Sequence, residues 1–169
     1  MKNEIRPLTR KDATSKYFVN WFFNMEDWLD AGATPENFDY DRLTDDGKCI
    51  NYVYGFFIDN KPEGIIRLER VPNGIFIDML FVNPEKQNWG IGSELMSYAI
   101  DKFGDRYDMY LDVIGLNDGG IRFYDRFGFK KIRPFIHRES GTGAKRRCYT
   151  MKRDKVEKIT QPTRPRRMM

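Results

Sequence analysis

Between Ile75 and Ile114 the apolar pattern changes period twice, and this limits the possible folds more than any other feature. Residues 75–82 are a nearly continuous run of Ile, Phe, Met, Leu and Val broken only by Asp78, the composition of a buried strand. A loop with Gly90 and Gly92 follows Asn83 and Pro84. Leu95, Met96, Ala99, Ile100 and Phe103 then recur at helical spacing, with Gly104 at the C-cap position. Residues 109–114 return to strand composition, so the unit is a strand–helix–strand crossover with parallel strands. Ahead of it, residues 52–58, 64–71 and 75–82 are strands separated by Asp59-Asn60-Lys61-Pro62 and Pro72-Asn73-Gly74, which makes an antiparallel meander. The sheet is therefore mixed, mostly antiparallel with one parallel pair.

The flanks extend this pattern. Residues 5–8, with Pro7, suit an edge strand. Asp12 is placed to cap a helix running through Tyr17, Phe18, Trp21, Phe22, Met25 and Leu29, and Thr34 to cap a second, short one. Asn117 opens a helix carrying Ile121, Phe123, Tyr124 and Phe127, which Gly128 ends. Strands at 129–135 and 146–151 follow, around a polar loop with Gly141 and Gly143. The expected order is β-α-α-β-β-β-α-β-α-β-β, an α/β (α+β mixed-sheet) fold without internal repeats.

A chain of 169 residues with 40% hydrophobic content is one globular domain, expected over 1–153. Residues 154–169 are expected to be a basic, flexible tail, since they hold two prolines and no apolar period. No apolar run is long enough to cross a bilayer and the first residues lack a signal-peptide core, so a cytoplasmic, non-membrane protein is expected. The cysteines, Cys49 and Cys148, read as thiols, and a single histidine, His137, argues against a zinc site. The net charge of +4 is too small to point to nucleic acid. Its distribution is uneven: Glu26, Asp27, Asp30, Glu36, Asp39, Asp41, Asp45 and Asp46 face only Arg42 within residues 26–46.

The loop Gln87-Asn88-Trp89-Gly90-Ile91-Gly92 precedes a helix whose first N–H groups lack intrahelical acceptors and whose dipole favours anions. Glycines admit an anion close to the backbone, so the loop is a phosphate cradle. It lacks the third glycine of a dinucleotide fold and the Gly-Lys-Ser/Thr of a nucleotide P-loop.

Gln-x-x-Gly-x-Gly after Leu-Phe-Val-Asn-Pro-Glu, with a second block from Asn117 to Phe129, resembles the two signatures of the GNAT superfamily of N-acetyltransferases, in order and separation. In the second block Ile121 is read as standing where a small alanine is usual. The resemblance covers about residues 4–153. It implies a GNAT-like fold, helices flanking a central sheet whose parallel pair splays apart, and an acetyl-CoA cosubstrate. It also implies an enzyme that moves the acetyl group to a primary amine by direct attack in a ternary complex.

By the same resemblance, the backbone amides of Gln87, Asn88, Trp89, Gly90, Ile91, Gly92 and Ser93 hold the phosphates. Leu80, Phe81 and Val82 run beside the pantetheine arm, and Asn117 contacts it. Tyr124 stands near the sulfur as the acid that protonates the leaving thiolate. The Phe81 N–H is placed to polarise the carbonyl. Asp78 is the candidate base, since strand alternation sets it with Phe76, Leu80 and Val82, and Glu69 is its alternative. His137 reads as a solvated loop residue, and no metal is implied. The acceptor pocket falls to residues 18–40 and 135–149, whose aromatic and acidic residues suit a small cationic amine. Peptide amines (protein N-termini or lysines), a non-catalytic CoA-binding module and a homodimer stay open.

Overall fold

In the computed structural model, which describes residues 1–25, 28, 31–45, 47–48 and 50–157, seven strands form one sheet in the order β1-β2-β3-β4-β5-β7-β6. The strands are β1 (Asn3–Pro7), β2 (Asn51–Ile58), β3 (Lys61–Val71), β4 (Gly74–Val82), β5 (Met109–Ile114), β6 (Lys130–Arg138) and β7 (Lys145–Arg153). Only β4 and β5 pair in parallel. The helices whose bounds lie within the described residues are α1 (Arg10–Ala13), α2 (Lys16–Phe22), α3 (Ile91–Phe103) and α4 (Asp118–Arg126). The mixed sheet and the element order agree with the sequence pattern. Glu26, Asp27, Leu29, Asp30, Asp46, Cys49 and residues 158–169 lie outside the described residues, and what the sequence implies for them stays an expectation.

Two apolar layers hold the sheet. Phe18, Phe22, Val53, Phe57, Ile65 and Met79 pack on the α1–α2 face. Tyr54, Ile66, Leu68, Ile75, Ile77, Leu95, Met96 and Phe103 pack on the α3–α4 face. Each fully buried side chain of this size contributes about 1.5–3 kcal/mol before entropy is counted.

Three local expectations need correction. The single helix from Asp12 is two helices. Thr9 caps α1 in a capping box with Asp12, and the Ser15 hydroxyl then caps α2 by accepting the Phe18 N–H. Thr34 does not open a helix; its hydroxyl accepts the Asn37 N–H in a turn, and a 3-10 helix over Tyr40–Leu43 follows, capped by Asp39. Helix α3 begins at Ile91, inside the glycine loop rather than after it.

One irregularity positions the site. Arg67 pairs with Met79 and Leu68 with Ile77, so Asp78 is the extra residue of a bulge in β4. The bulge switches the parity of the strand. Ile75 and Ile77 before it, and Leu80 and Val82 after it, all face the α3–α4 layer, while Met79 and Phe81 face α2. Strict alternation therefore fails, and Asp78 does not share a face with Leu80 and Val82.

Candidate active site

Gly90 adopts φ +76°, where a side chain would be strained, and it caps α3 without any side-chain hydrogen bond. The first helical bond is Glu94 N–H to the Gly90 carbonyl at 3.1 Å. The N–H groups of Ile91, Gly92 and Ser93 thus stand ahead of the ladder, aimed out of the helix end. Gln87, Asn88 and Trp89 belong to the preceding 3-10 helix, Pro84–Trp89. The Lys86 ammonium lies 4.4 Å from the Trp89 ring centroid, adding a positive charge beside the cradle. A Cβ on Gly92 would lie 3.8 Å from both Phe123 and Val82. The second block, on α4, therefore meets the loop at the point where β4 ends.

Strands β4 and β5 pair only through Ile75–Met109, Phe76–Tyr110 and Ile77–Leu111. Beyond these rungs they part. Leu80, Phe81 and Val82 remain bonded to β3 on one side, opposite Ile66, Ile65 and Gly64, and their other edge carries no strand. That free edge offers the sheet-like contacts a pantetheine amide would take, and the helix end offers the anion cradle, so these residues fit coenzyme A.

Tyr124 is half-buried against the α3–α4 layer, with its ring 5.3 Å from Phe123 and 6.2 Å from Phe129. Asn117 caps α4 by accepting the Gly120 N–H at 2.9 Å. Counted along the block, the small position falls on Gly120 and not on Ile121: a Cβ there would lie 2.4 Å from Asn117 Nδ2.

On the α2 face, a cavity of about 230 Å³ opens at the splay, lined by Phe76, Asp78, Asp112, Ile114, Phe135, His137 and Cys148, with Ile77 and Val113. Asp78 is paired: its Oδ2 lies 2.9 Å from Arg67 Nη1 and 3.3 Å from Arg42 Nη2. Glu69 leans on the same Arg67 at 3.7 Å. Asp112 accepts only the Thr150 hydroxyl, at 2.7 Å, among the described residues. Burial, then the negative charges of Asp112 and Glu139, push the Cys148 thiol up, so it stays neutral in an electronegative cavity.

His137 is not the loop residue that the sequence suggests. It lies in β6, with Nε2 3.8 Å from Glu139 Oε2 and its ring half exposed. The signal that could have found it is period two: Arg133, Phe135 and His137 share a β6 face, opposite Thr150, Cys148 and Arg146 of β7. Beyond the end of β6, the Ser140 hydroxyl donates to the Ala31 carbonyl at 3.3 Å. A Cβ on Gly32 would lie 3.7 Å from Gly141 Cα. The segment after α2 thus touches the β6–β7 loop.

The sequence model of the acetyltransferase (GNAT) family matches residues 4–129. The chain belongs to this family. It is an acyl-CoA-dependent N-acetyltransferase with acetyl-CoA as cosubstrate. No curated protein matches the chain in sequence. Among solved structures, the fold is similar to the ribosomal-protein-S18-alanine N-acetyltransferase of Escherichia coli, at TM-score 0.70 and 16% identity, covering 96% of this chain and 100% of that one. It is similar to the PaiA N-acetyltransferase of Thermoplasma acidophilum in complex with coenzyme A, at TM-score 0.65 and 20% identity over 91% and 99% of the two chains. It is also similar to a spermidine N-acetyltransferase chimera from Vibrio cholerae and hSSAT, at TM-score 0.69 and 14% identity over 92% and 96%. No helix among the described residues is long and apolar enough to cross a membrane.

Proposed function

We propose that this acetyltransferase acts on a small cationic primary amine, which enters the splay from the α2 face and attacks directly in a ternary complex. The observation that carries this reading is the cavity at the splay, which is lined by the carboxylates of Asp78 and Asp112.

When bound, acetyl-CoA supplies the activated thioester. The Ile91, Gly92 and Ser93 N–H groups, followed from the 3-10 helix by Gln87, Asn88, Trp89 and Gly90, hold its phosphates. The free edge of Leu80, Phe81 and Val82 aligns the arm, assisted by Asn117. The Phe81 N–H would polarise its carbonyl, and the Tyr124 hydroxyl would serve as the proton donor to its sulfur.

The acceptor arrives as an ammonium and must lose a proton. The second carboxylate oxygen of Asp112 takes part in holding it. Asp78, shared between two guanidinium groups, steadies the mouth of the site rather than accepting a proton. That step falls to His137, which lines the same cavity and acts through water. The groups that face it are Glu139 just past the end of β6, Arg146 opposite it, and Asp78 and Asp112 across the cavity.

A second reading, a protein N-terminal amine, draws on the likeness to the ribosomal-protein-S18-alanine enzyme. Thiol release from acetyl-CoA decides between them, measured with polyamines, aminoglycosides and short peptides with free N-termini. Small amines with two or more ammonium groups are expected to turn over fastest. Turnover confined to peptides would replace the first reading with the second.

A further inference from the structure

On the α2 side of the cofactor loop lies a buried carboxylate that acyl transfer does not use. Glu63 is 2% exposed. It falls between Pro62, paired with Phe57, and Gly64, paired with Phe56, and so is the extra residue of a bulge in β3. A carboxylate this deep is costly unless its lone pairs are filled. Here they are filled from two directions, by the Tyr17 hydroxyl on Oε1 and by Asn83 Nδ2 on Oε2 at 3.0 Å. Among the described residues no cation pairs with it; the nearby Lys61 ammonium lies over the Tyr17 ring instead, 5.1 Å from its centroid. Burial first, then the bond to Glu63 and its charge, push the Tyr17 phenol up to about 12, so it remains a donor.

Asn83 faces two ways. Its Oδ1 accepts the Glu85 N–H at 3.2 Å and caps the 3-10 helix that leads into the cradle. Its main-chain N–H donates to the Glu63 carbonyl at 2.8 Å. The orientation of its amide is forced, because the Glu85 donor requires the oxygen and the Glu63 carboxylate requires the amino group. Gly64, the next residue of β3, makes room for the start of α3: a Cβ there would lie 2.7 Å from Ile91 Cγ2. Adjacent residues of β3 thus seat both the turn before the cradle and its first helical residue. Beside this anchor is a cavity of about 390 Å³, lined by Tyr17, Asn20, Trp21, Asn24, Asn83 and Glu85, with Pro84. The loop has space to shift into, so hydrogen bonds rather than packing hold it on that side.

We infer that Glu63 is a positioning residue for the cofactor loop: with Tyr17 and Asn83 it fixes the direction of the Ile91, Gly92 and Ser93 N–H groups and so sets the affinity for coenzyme A. It acts through Asn83 and does not touch the cosubstrate. The inference rests on the reading of those amides as the phosphate cradle.

The test is the affinity of the full chain for coenzyme A by calorimetry, together with steady-state kinetics. Glu63→Ala should raise the Kd for coenzyme A about tenfold. Its kcat at saturating acetyl-CoA should stay within about twofold of the parent, since only binding is affected. Glu63→Gln keeps an acceptor for Asn83 and should recover most of the loss. If Glu63→Ala does not fold, Tyr17→Phe removes one of the two bonds and should raise Kd about threefold. A lowered melting temperature with unchanged affinity for coenzyme A well below it would assign Glu63 a purely structural role and overturn the inference. So would a fall in kcat with Kd unchanged. If the unaltered chain binds no coenzyme A, the cradle reading itself fails, a result distinct from selective weakening in the variants.

Discussion

At the residue scale, Arg67 decides how Asp78 should be understood. The residue is 7% exposed. The guanidinium reaches Asp78 Oδ2 at 2.9 Å, the Arg42 carbonyl at 2.8 Å and Asn51 Oδ1 at 2.9 Å. An acid in an apolar strand must be either used or paired, and sequence alone shows the requirement without the partner. The partners stand 11 and 36 residues away, and only the folded sheet brings them to the bulge. Asp78→Asn should therefore cost stability, about 1–3 kcal/mol in urea unfolding, because it leaves a buried guanidinium without its counter-charge. Turnover should stay within about tenfold of the parent, whereas loss of a general base would cost about 10²–10⁴. Tyr124→Phe should show the opposite balance: stability and coenzyme A affinity nearly kept, with kcat down by about 10². If the two variants behave alike in turnover, the separation of their roles is wrong.

At the scale of elements, the order of strands and helices was legible because each apolar period is long enough to declare itself. Their joints were not. The Phe18, Trp21 and Phe22 stripe reads as one helix from Asp12 because nothing like Pro or Gly interrupts it. What divides it is the Ser15 hydroxyl, which accepts the Phe18 N–H at 3.4 Å and donates to the Asp12 carbonyl at 2.7 Å. Asp12 is a member of the capping box, not the cap, and it also receives Arg6 Nη1 at 2.8 Å. Burial alone would raise its pKa, but the bonds from Arg6 and from the Thr9 N–H and hydroxyl outweigh it and hold the carboxyl below its ordinary value. A depressed carboxyl stabilises the folded state above its unfolded pKa of about 4 and loses that contribution as pH falls through the folded value. Asp12→Asn should thus lower stability near neutrality by about 1 kcal/mol. It should also flatten the acid limb of a series of thermal melts run down to pH 3. An acid limb as steep as the parent's would place the titrating group elsewhere. The bulge at Asp78 was hidden for the same reason as the helix break: one extra residue in a ladder leaves the composition of the strand unchanged.

For the molecule as a whole, the two faces of the sheet divide the work. The α3–α4 face carries the cradle and Tyr124, the α2 face carries the acidic cavity, and the splay of β4 from β5 joins them. The glycine loop and the start of α3, proposed as the cradle, are local in sequence, and their geometry was legible. The acceptor side is assembled from β4, β5, β6, β7 and the segment after α2, so its residues announce nothing until the register is known; His137 is the clearest case. This division implies that acceptor choice can be changed without disturbing the cosubstrate. The β6–β7 loop is a compact turn, with the Glu139 N–H bonded to the Ala144 carbonyl and the Gly143 N–H to the Glu139 carbonyl, both at 2.8 Å. Replacing residues 140–143 with Asn-Gly keeps a tight hairpin and removes the contacts of Ser140 and Gly141 with Ala31 and Gly32. The shortened variant should bind coenzyme A as the parent does, since that site lies across the sheet. Its KM for small cationic amines should rise about tenfold as the contact between the two segments is lost, a cost in uniform binding that leaves kcat largely unchanged. Peptides with free N-termini should become better substrates, because the opened end admits a continuing chain. If both acceptor classes respond equally, the contact between the two segments is not what limits entry, and selection must lie deeper, at Asp112 and the splay.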